Sequence, residues 1–248
     1  MKQILLPISA AVILSCSALS ASAGDFTIGA GGSVFKSPYK DFKDDSAPLL
    51  FVEYQGEDLS VGVEGISYRV LGNDESPLSL YATLASAGEG FDSNDSKFFS
   101  GMSDRDMSVD LGMTAVYQIG QGAVSGSLLH DVSDTHKGFV ADVNYSQGFD
   151  IAGQVYLTPK AGIIYMNEDY ADYYFGVRSS EATASRAAYT ADAAFNPYVG
   201  VEMMVPLGES WQIVSSASYV WLGDEIENSS IVERDNAWGA TLGLAYTF

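Results

Sequence analysis

The chain has 248 residues, with 12 Lys+Arg against 32 Asp+Glu, a net charge of −20, and 47% hydrophobic residues. So acidic a chain will not bind nucleic acid through its phosphates, while 15 tyrosines and this apolar content exclude a disordered polyanion. Cys16 is the only cysteine, so disulfide, thiolate-metal and cysteine-nucleophile chemistry fall together.

At the N-terminus Lys2 precedes an apolar run from Ile4 to Leu14, too short to span a bilayer as a helix. Small residues follow, Ala21-Ser22-Ala23, an A-x-A cleavage pattern. Met1–Ala23 reads as a cleaved secretory signal peptide, with 24–248 as one exported domain. A lipoprotein signal acylated on Cys16 is the rival, but bulky Leu14 fits that box poorly. No apolar run of transmembrane-helix length follows the leader.

Beyond the leader, apolar and polar residues alternate with period two. Phe26, Ile28, Ala30 and Val34 alternate with Thr27, Gly29, Gly31 and Ser33. Less regular strands are expected at Pro48–Gln55 and Leu59–Val70. Leu78, Leu80, Ala82 and Leu84 alternate with Ser79, Tyr81 and Thr83. Met107–Gln118 is strict, with Val109, Leu111 and Met113 opposed to Ser108, Asp110 and Gly112. Ala123–Leu129, Gly138–Gln147 and Val155–Met166 follow. Val199, Val201, Met203 and Val205 oppose Tyr198, Gly200 and Glu202. Trp211–Leu222 and Trp238–Phe248 complete eleven strands. Most acids lie between them, as at Asp41, Asp44 and Asp45, or Asp224, Glu225 and Glu227.

Such strands could build a soluble sandwich or a membrane barrel. Three features favour an all-β, antiparallel transmembrane barrel of the outer membrane. The polar faces are small and Gly-rich, with isolated acids at Asp110, Asp142 and Glu202, the candidate lumen charges. The strands approach the ~9–11 residues that cross a bilayer with tilt. Aromatics sit near strand ends (Tyr54, Tyr117, Tyr145, Tyr165, Trp211, Trp221, Trp238), as interfacial girdles require. Bacterial barrels have even strand numbers. Twelve strands are therefore expected, or ten if a register is misplaced, with Asp172–Arg178 as the weak twelfth. Glu168–Ala194 reads as an outer loop or protruding hairpin.

In the last strand Trp238, Ala240, Leu242, Leu244, Tyr246 and Phe248 face one way. Thr241, Gly243, Tyr246 and Phe248 match the polar-x-Gly-x-x-aromatic-x-aromatic signal read by the barrel assembly machinery. Outer-membrane lipid and that machinery are the expected assembly partners.

Catalysis is not expected. The two histidines, His130 and His136, flank Asp131-Val132-Ser133-Asp134-Thr135. A Ser/His/Asp hydrolase is conceivable there, but no nucleophile elbow occurs and no oxyanion donor can be named. A zinc site fails on spacing and absent thiolates. Asp92-Ser93-Asn94-Asp95 lacks the Gly and distal Glu of a calcium loop. Gly29-Ala30-Gly31-Gly32 has no helix to complete a phosphate cradle. No cofactor and no metal are expected.

Several segments resemble the MipA/OmpV family of MltA-interacting outer-membrane proteins. They are Ser37-Pro38-Tyr39-Lys40-Asp41, Tyr173-Tyr174-Phe175-Gly176-Val177, Asn196-Pro197-Tyr198, Leu222-Gly223-Asp224-Glu225-Ile226 and the C-terminal strand. Ser229-Ser230-Ile231-Val232 departs from the Ser-Pro seen before an apolar pair in relatives. The resemblance implies an outer-membrane barrel without known catalytic residues, and one family member is a scaffold that joins a lytic transglycosylase to a murein synthase. Within the same family, surface antigens or adhesins and osmotically regulated barrels are the other roles. The expected function is a murein-enzyme scaffold, with a small cation-preferring channel or an adhesin acting through acidic outer loops as alternatives.

Overall fold

The computed structural model describes residues 24–42, 45–88 and 90–248; the leader and Asp44 lie outside them. Among the described residues thirteen strands form one antiparallel sheet that closes on itself. They are β1 (Asp25–Lys36), β2 (Ser46–Gln55), β3 (Leu59–Gly62), β4 (Gly65–Leu71), β5 (Leu78–Ala85), β6 (Asp110–Ile119) and β7 (Gly122–Asp131). There follow β8 (Phe139–Gln147), β9 (Phe149–Ile151), β10 (Val155–Met166), β11 (Ala194–Leu207), β12 (Trp211–Trp221) and β13 (Asn236–Thr247). β9 continues β8 past Gly148, both pairing with β10, so the wall has twelve staves. Each stave pairs with its chain neighbour, and β13 closes on β1 with Thr27 opposite Thr247. Closure leaves nearly every backbone group a partner inside the sheet, which lipid cannot supply.

The alternation maps directly onto the wall. Leu50, Leu128, Val143 and Leu242 point outward and are more than half exposed, as a lipid-facing band requires. Thr27, Ser33, Ser79 and Ser125 face inward and are buried. Tyr54, Tyr117, Tyr145 and Trp211 lie outward at one end of their strands, Trp221 and Trp238 at the other. Connections at the first end are short: 56–58, 72–77, 120–121, 152–154 and 208–210. Those at the second are mostly long: 37–45, 86–109, 132–138, 167–193 and 222–235. Short periplasmic turns and long outer loops are the rule for such barrels, which orients the chain.

The twelfth stave is not where the sequence placed it. Asp172–Arg178 is no strand, because α1 (Glu168–Phe175) takes up most of it. Asn167 caps that helix by accepting from the Tyr170 N–H, and Glu168 and Asp169 favour the positive helix start. Tyr170, Ala171, Tyr174 and Phe175, spaced one helical turn apart, are its buried residues. The extra stave comes from Leu59–Val70, which is a hairpin rather than one strand. Gly62 pairs with Gly65 across a two-residue turn, and Gly65 takes φ 126°, open only to glycine.

Candidate functional site

The outer loops pack into a lid at the outer end of the barrel. Its core joins Tyr39 of the first outer loop, Phe91, Phe99 and Met102 of the 86–109 loop, Tyr170, Tyr174 and Phe175 of α1, and Ile226 of α2 (Asp224–Glu227). Phe91 and Phe99 stack at 4.4 Å between ring centroids, and Tyr39 meets Phe175 at 5.5 Å. The Tyr39 hydroxyl donates to the Tyr174 carbonyl at 3.1 Å. Each buried aromatic removes a large apolar area from water, so the lid is a small domain core set on the barrel rim.

Two buried arginines stitch the loops. Arg105 donates to Glu181 Oε1 at 3.2 Å and Oε2 at 3.0 Å, and to the Tyr173 carbonyl at 2.6 Å. Burial pushes the Glu181 carboxyl up, but the Arg105 guanidinium and the Ser103 and Arg178 N–H groups more than offset it and hold it at about 2. Arg186 donates to the carbonyls of Phe98, Ser100 and Glu181. Neither arginine stood out in the sequence. Their only signal was a base in a long outer segment otherwise rich in acids.

Below the lid, Asp110, Asp131 and His136 are buried with ligand atoms within 4.8 Å of one another. Their bonding argues against a metal. The Gly138 N–H donates to His136 Nδ1 at 3.0 Å, so the ring proton sits on Nε2 and faces Asp110 Oδ1 at 3.1 Å. Asp110 Oδ2 also accepts from Ser108 and Ala87. Asp131 accepts from Ser133 on one oxygen and from the His136 and Lys137 N–H groups on the other. These groups are engaged by protein donors, most of which a metal would have to displace. The cluster fastens the 132–138 loop to the β6 and β7 ends.

The hydrolase constellation does not assemble either. His130 is exposed on the outer wall while His136 is buried beside Asp110. Ser133 Oγ donates to Asp131 rather than to a histidine. In the 92–95 segment the acids bind backbone: Asp95 accepts from the Asp92 N–H, and Asp104 accepts from the Ser93 N–H.

The candidate lumen charges divide by position. Asp142 and Glu202 point into the lumen, whereas Asp110 belongs to the network under the lid. Glu202 pairs with Lys160 at 3.3 Å, and Asp142 accepts from Asn144 at 2.5 Å. At the inner end Arg69 is buried between Asp58 and Asp74 at 3.0 and 2.6 Å. The assembly-signal residues lie on β13 and its end. Thr241 and Gly243 face inward, Tyr246 and Phe248 outward, and the Phe248 N–H donates to the Phe26 carbonyl at 3.0 Å.

Apart from the C-terminal strand, the segments that carried the family resemblance converge on the lid. Tyr39 packs on Phe175. Asn196, fully buried, accepts from the Gly223 N–H at 2.9 Å, which leads into Ile226. Ser229, in the divergent last loop, donates to the Phe175 carbonyl. Segments far apart in sequence thus build one mouth.

A closed barrel with a lipid-facing apolar band, aromatic girdles and a polar interior is an integral outer-membrane β-barrel. Comparison with known proteins agrees and narrows the class. The family described as MltA-interacting protein MipA matches residues 28–248, and the chain belongs to it. It is 38% identical to the outer membrane protein Omp26La of Vibrio anguillarum, over 89% of this chain and 85% of that one. Identity to OmpV of Vibrio cholerae is 36% over the same shares. Identity to the MltA-interacting protein of Escherichia coli is 26%, over 96% of both.

Proposed function

We propose that the barrel is a non-enzymatic scaffold that holds murein-remodelling enzymes at the inner face of the outer membrane. The observation that carries this reading is the packed lid of outer loops set opposite an acidic inner rim. With the lid packed, the face available to a periplasmic partner is the ring of short turns. That ring carries Glu57, Asp58, Asp74, Glu75 and Glu209, with Asp25 and Asp150 beside it, and no Lys or Arg lies within the turns. A docking enzyme should present a basic patch, since complementary potentials steer and orient association. The Escherichia coli relative is named for interaction with MltA, and a lytic transglycosylase, with a murein synthase beside it, is the partner class we infer.

Asp58 and Asp74 anchor Arg69, so they are poor test positions. Glu57→Lys, Asp150→Lys and Glu209→Lys lie on exposed turns or strand ends. Tagged wild-type barrel should retain a lytic transglycosylase from crosslinked envelopes above a control barrel, and the triple variant should lose it while still folding. Retention unaffected by the three reversals, or none by wild type, would refute the scaffold reading.

A further inference from the structure

The barrel wall is incomplete in its outer half between β2 and β5. β3 has four residues and β4 seven, and a tilted strand needs about nine to cross a bilayer. Their hairpin rises from the inner end and turns back at Val63-Glu64. On this side β2 is paired only at Tyr54 and Gln55, although it runs back to Ser46. The odd residues of β2 share the hydrogen-bonding phase of the Phe35–Asp45 bond to β1. Ser46, Pro48, Leu50 and Val52 therefore aim their backbone groups at the gap. Pro48 has no N–H to lose there, which suits an edge. Among the described residues no backbone hydrogen bond reaches this edge from the 86–109 loop.

An open strand edge facing lipid is otherwise avoided in membrane barrels, and both sides of this one are apolar. Outside, Leu50 is 79% exposed, and a shallow groove of about 490 Å³ crosses the wall from Ser46 and Pro48 of β2 over Gly32 and Val34 to Ala240 and Leu242. Inside, the half-buried Leu49 and the buried Phe51 of β2 join Val214 and Ala245 in an apolar patch. The Phe51 ring crosses over Gly29, where any Cβ would sit 2.0 Å from its Cζ. Charge fixes the sign of a visitor's head. Glu53 of β2 and Glu64 of the hairpin turn lie close to each other and to the Lys160–Glu202 pair, so this cluster holds three carboxyls against one base.

We propose that this gap is a lateral portal, through which the hydrocarbon tail of a single-tailed, positively charged amphiphile passes between the outer leaflet and the lumen. The tail follows the apolar groove across the unpaired edge to Leu49 and Phe51. The head rests by Glu53 and Glu64, and the lid bars escape to the outside. This is independent of the scaffold reading, which concerns the inner rim.

The test uses the mature barrel in phospholipid vesicles. Its sequence after the leader has no cysteine, so Leu49→Cys and, on the sealed wall, Ser125→Cys give single reporters. The probe is a maleimide on an alkyl chain that stays in the bilayer. It should label Leu49→Cys about tenfold faster than Ser125→Cys, because an intact wall bars a chain dissolved in lipid. Equal rates, or no labelling of either while a water-soluble maleimide reacts with both, would overturn the portal. Dodecyltrimethylammonium should slow labelling of Leu49→Cys and dodecyl sulfate should not. Adding Glu53→Gln and Glu64→Gln should erase that difference. Equal protection by the two surfactants in the unmodified lumen would overturn the assigned head charge. Heat-dependent mobility on a detergent gel confirms that each variant is folded.

Discussion

Arg105 and Glu181 form a two-pronged ion pair at 3.2 and 3.0 Å that helps tie the two longest outer loops together. Both side chains are nearly inaccessible to water, at 1% and 4%. Removing one partner strands a buried charge, which costs about 3–5 kcal/mol. Arg105→Ala should therefore loosen the lid without unfolding the wall, whose pairing does not involve either residue. Hydrogen exchange should rise across 86–109 and 167–193 and stay unchanged in β11–β13. Uniform change over the barrel would show that lid and wall unfold as one.

The same pair sets an acid limit. The Glu181 carboxyl is held at about 2 in the folded protein, below its ordinary value of 4.5. A depressed carboxylate gives stability that is complete above the unfolded value and is lost as pH falls through the folded one. Its contribution to lid protection should hold near pH 6, decline below about 4.5 and vanish below about 2. Arg105→Gln should flatten that decline. An equally steep acid profile in the variant would place the titrating group elsewhere.

Asn167 offers a third test. Its side-chain oxygen accepts from the Tyr170 N–H at 3.2 Å and from the Phe139 N–H at 2.8 Å, joining α1 to the top of β8. Asn167→Ala should cost about 1–2 kcal/mol as the loss of a helix cap. Protease nicking within 167–193 on intact cells should then increase. Asn167→Asp, which can still accept, should restore most of the protection.

The lipid-facing pattern was legible because a barrel wall is a local, period-two structure. β10 matches its expected bounds, Val155–Met166, to the residue. The even-number rule also gave the right count from an incomplete set of strands. What failed was the choice of segment, and the missed signal is visible afterwards. In 59–70 the apolar residues are odd at Leu59, Val61 and Val63, then even at Ile66, Tyr68 and Val70. One strand cannot change faces in mid-course without a bulge or turn, so the phase shift marked the hairpin. Tyr173-Tyr174-Phe175 misled for the opposite reason. Aromatics suit strands, but the Asn167-Glu168-Asp169 start is a helix signal. The lid itself was hidden, because Tyr39, Arg105, Glu181 and Ile226 become neighbours only when the barrel closes.

Phe248 should matter for assembly as well as for packing. Its ring lies 4.9 Å from Tyr246 and 5.8 Å from Phe26 across the β13–β1 seam, on the lipid face. Phe248→Asp puts a charge at that seam and alters the last aromatic of the assembly signal expected from the sequence. The assembled, heat-modifiable form should fall in outer-membrane fractions, with unfolded chain accumulating. Phe248→Tyr should behave as wild type. Equal abundance of Phe248→Asp and wild type would separate this residue from recognition by the assembly machinery.

The remaining prediction concerns conduction. A twelve-stave barrel leaves only a modest interior, and here the lid core spans the outer mouth while Lys160 and Glu202 occupy part of the lumen. Wild-type protein in planar bilayers should show weak conductance or none. Tyr174→Asp with Phe175→Asp places two charges in the apolar lid core without touching the wall, and should open steps that wild type lacks. Those steps should favour cations, because Glu53, Glu64, Asp142 and Glu202 line the way against Lys160. Asp142→Lys is the informative reversal, since Asp110 belongs to the His136 network and its loss would disturb the mouth itself. In the opened variant Asp142→Lys should lower the cation preference. Large, stable conductance from the wild-type barrel would mean that the lid is not a seal. The channel would then displace the scaffold as the better account of this fold.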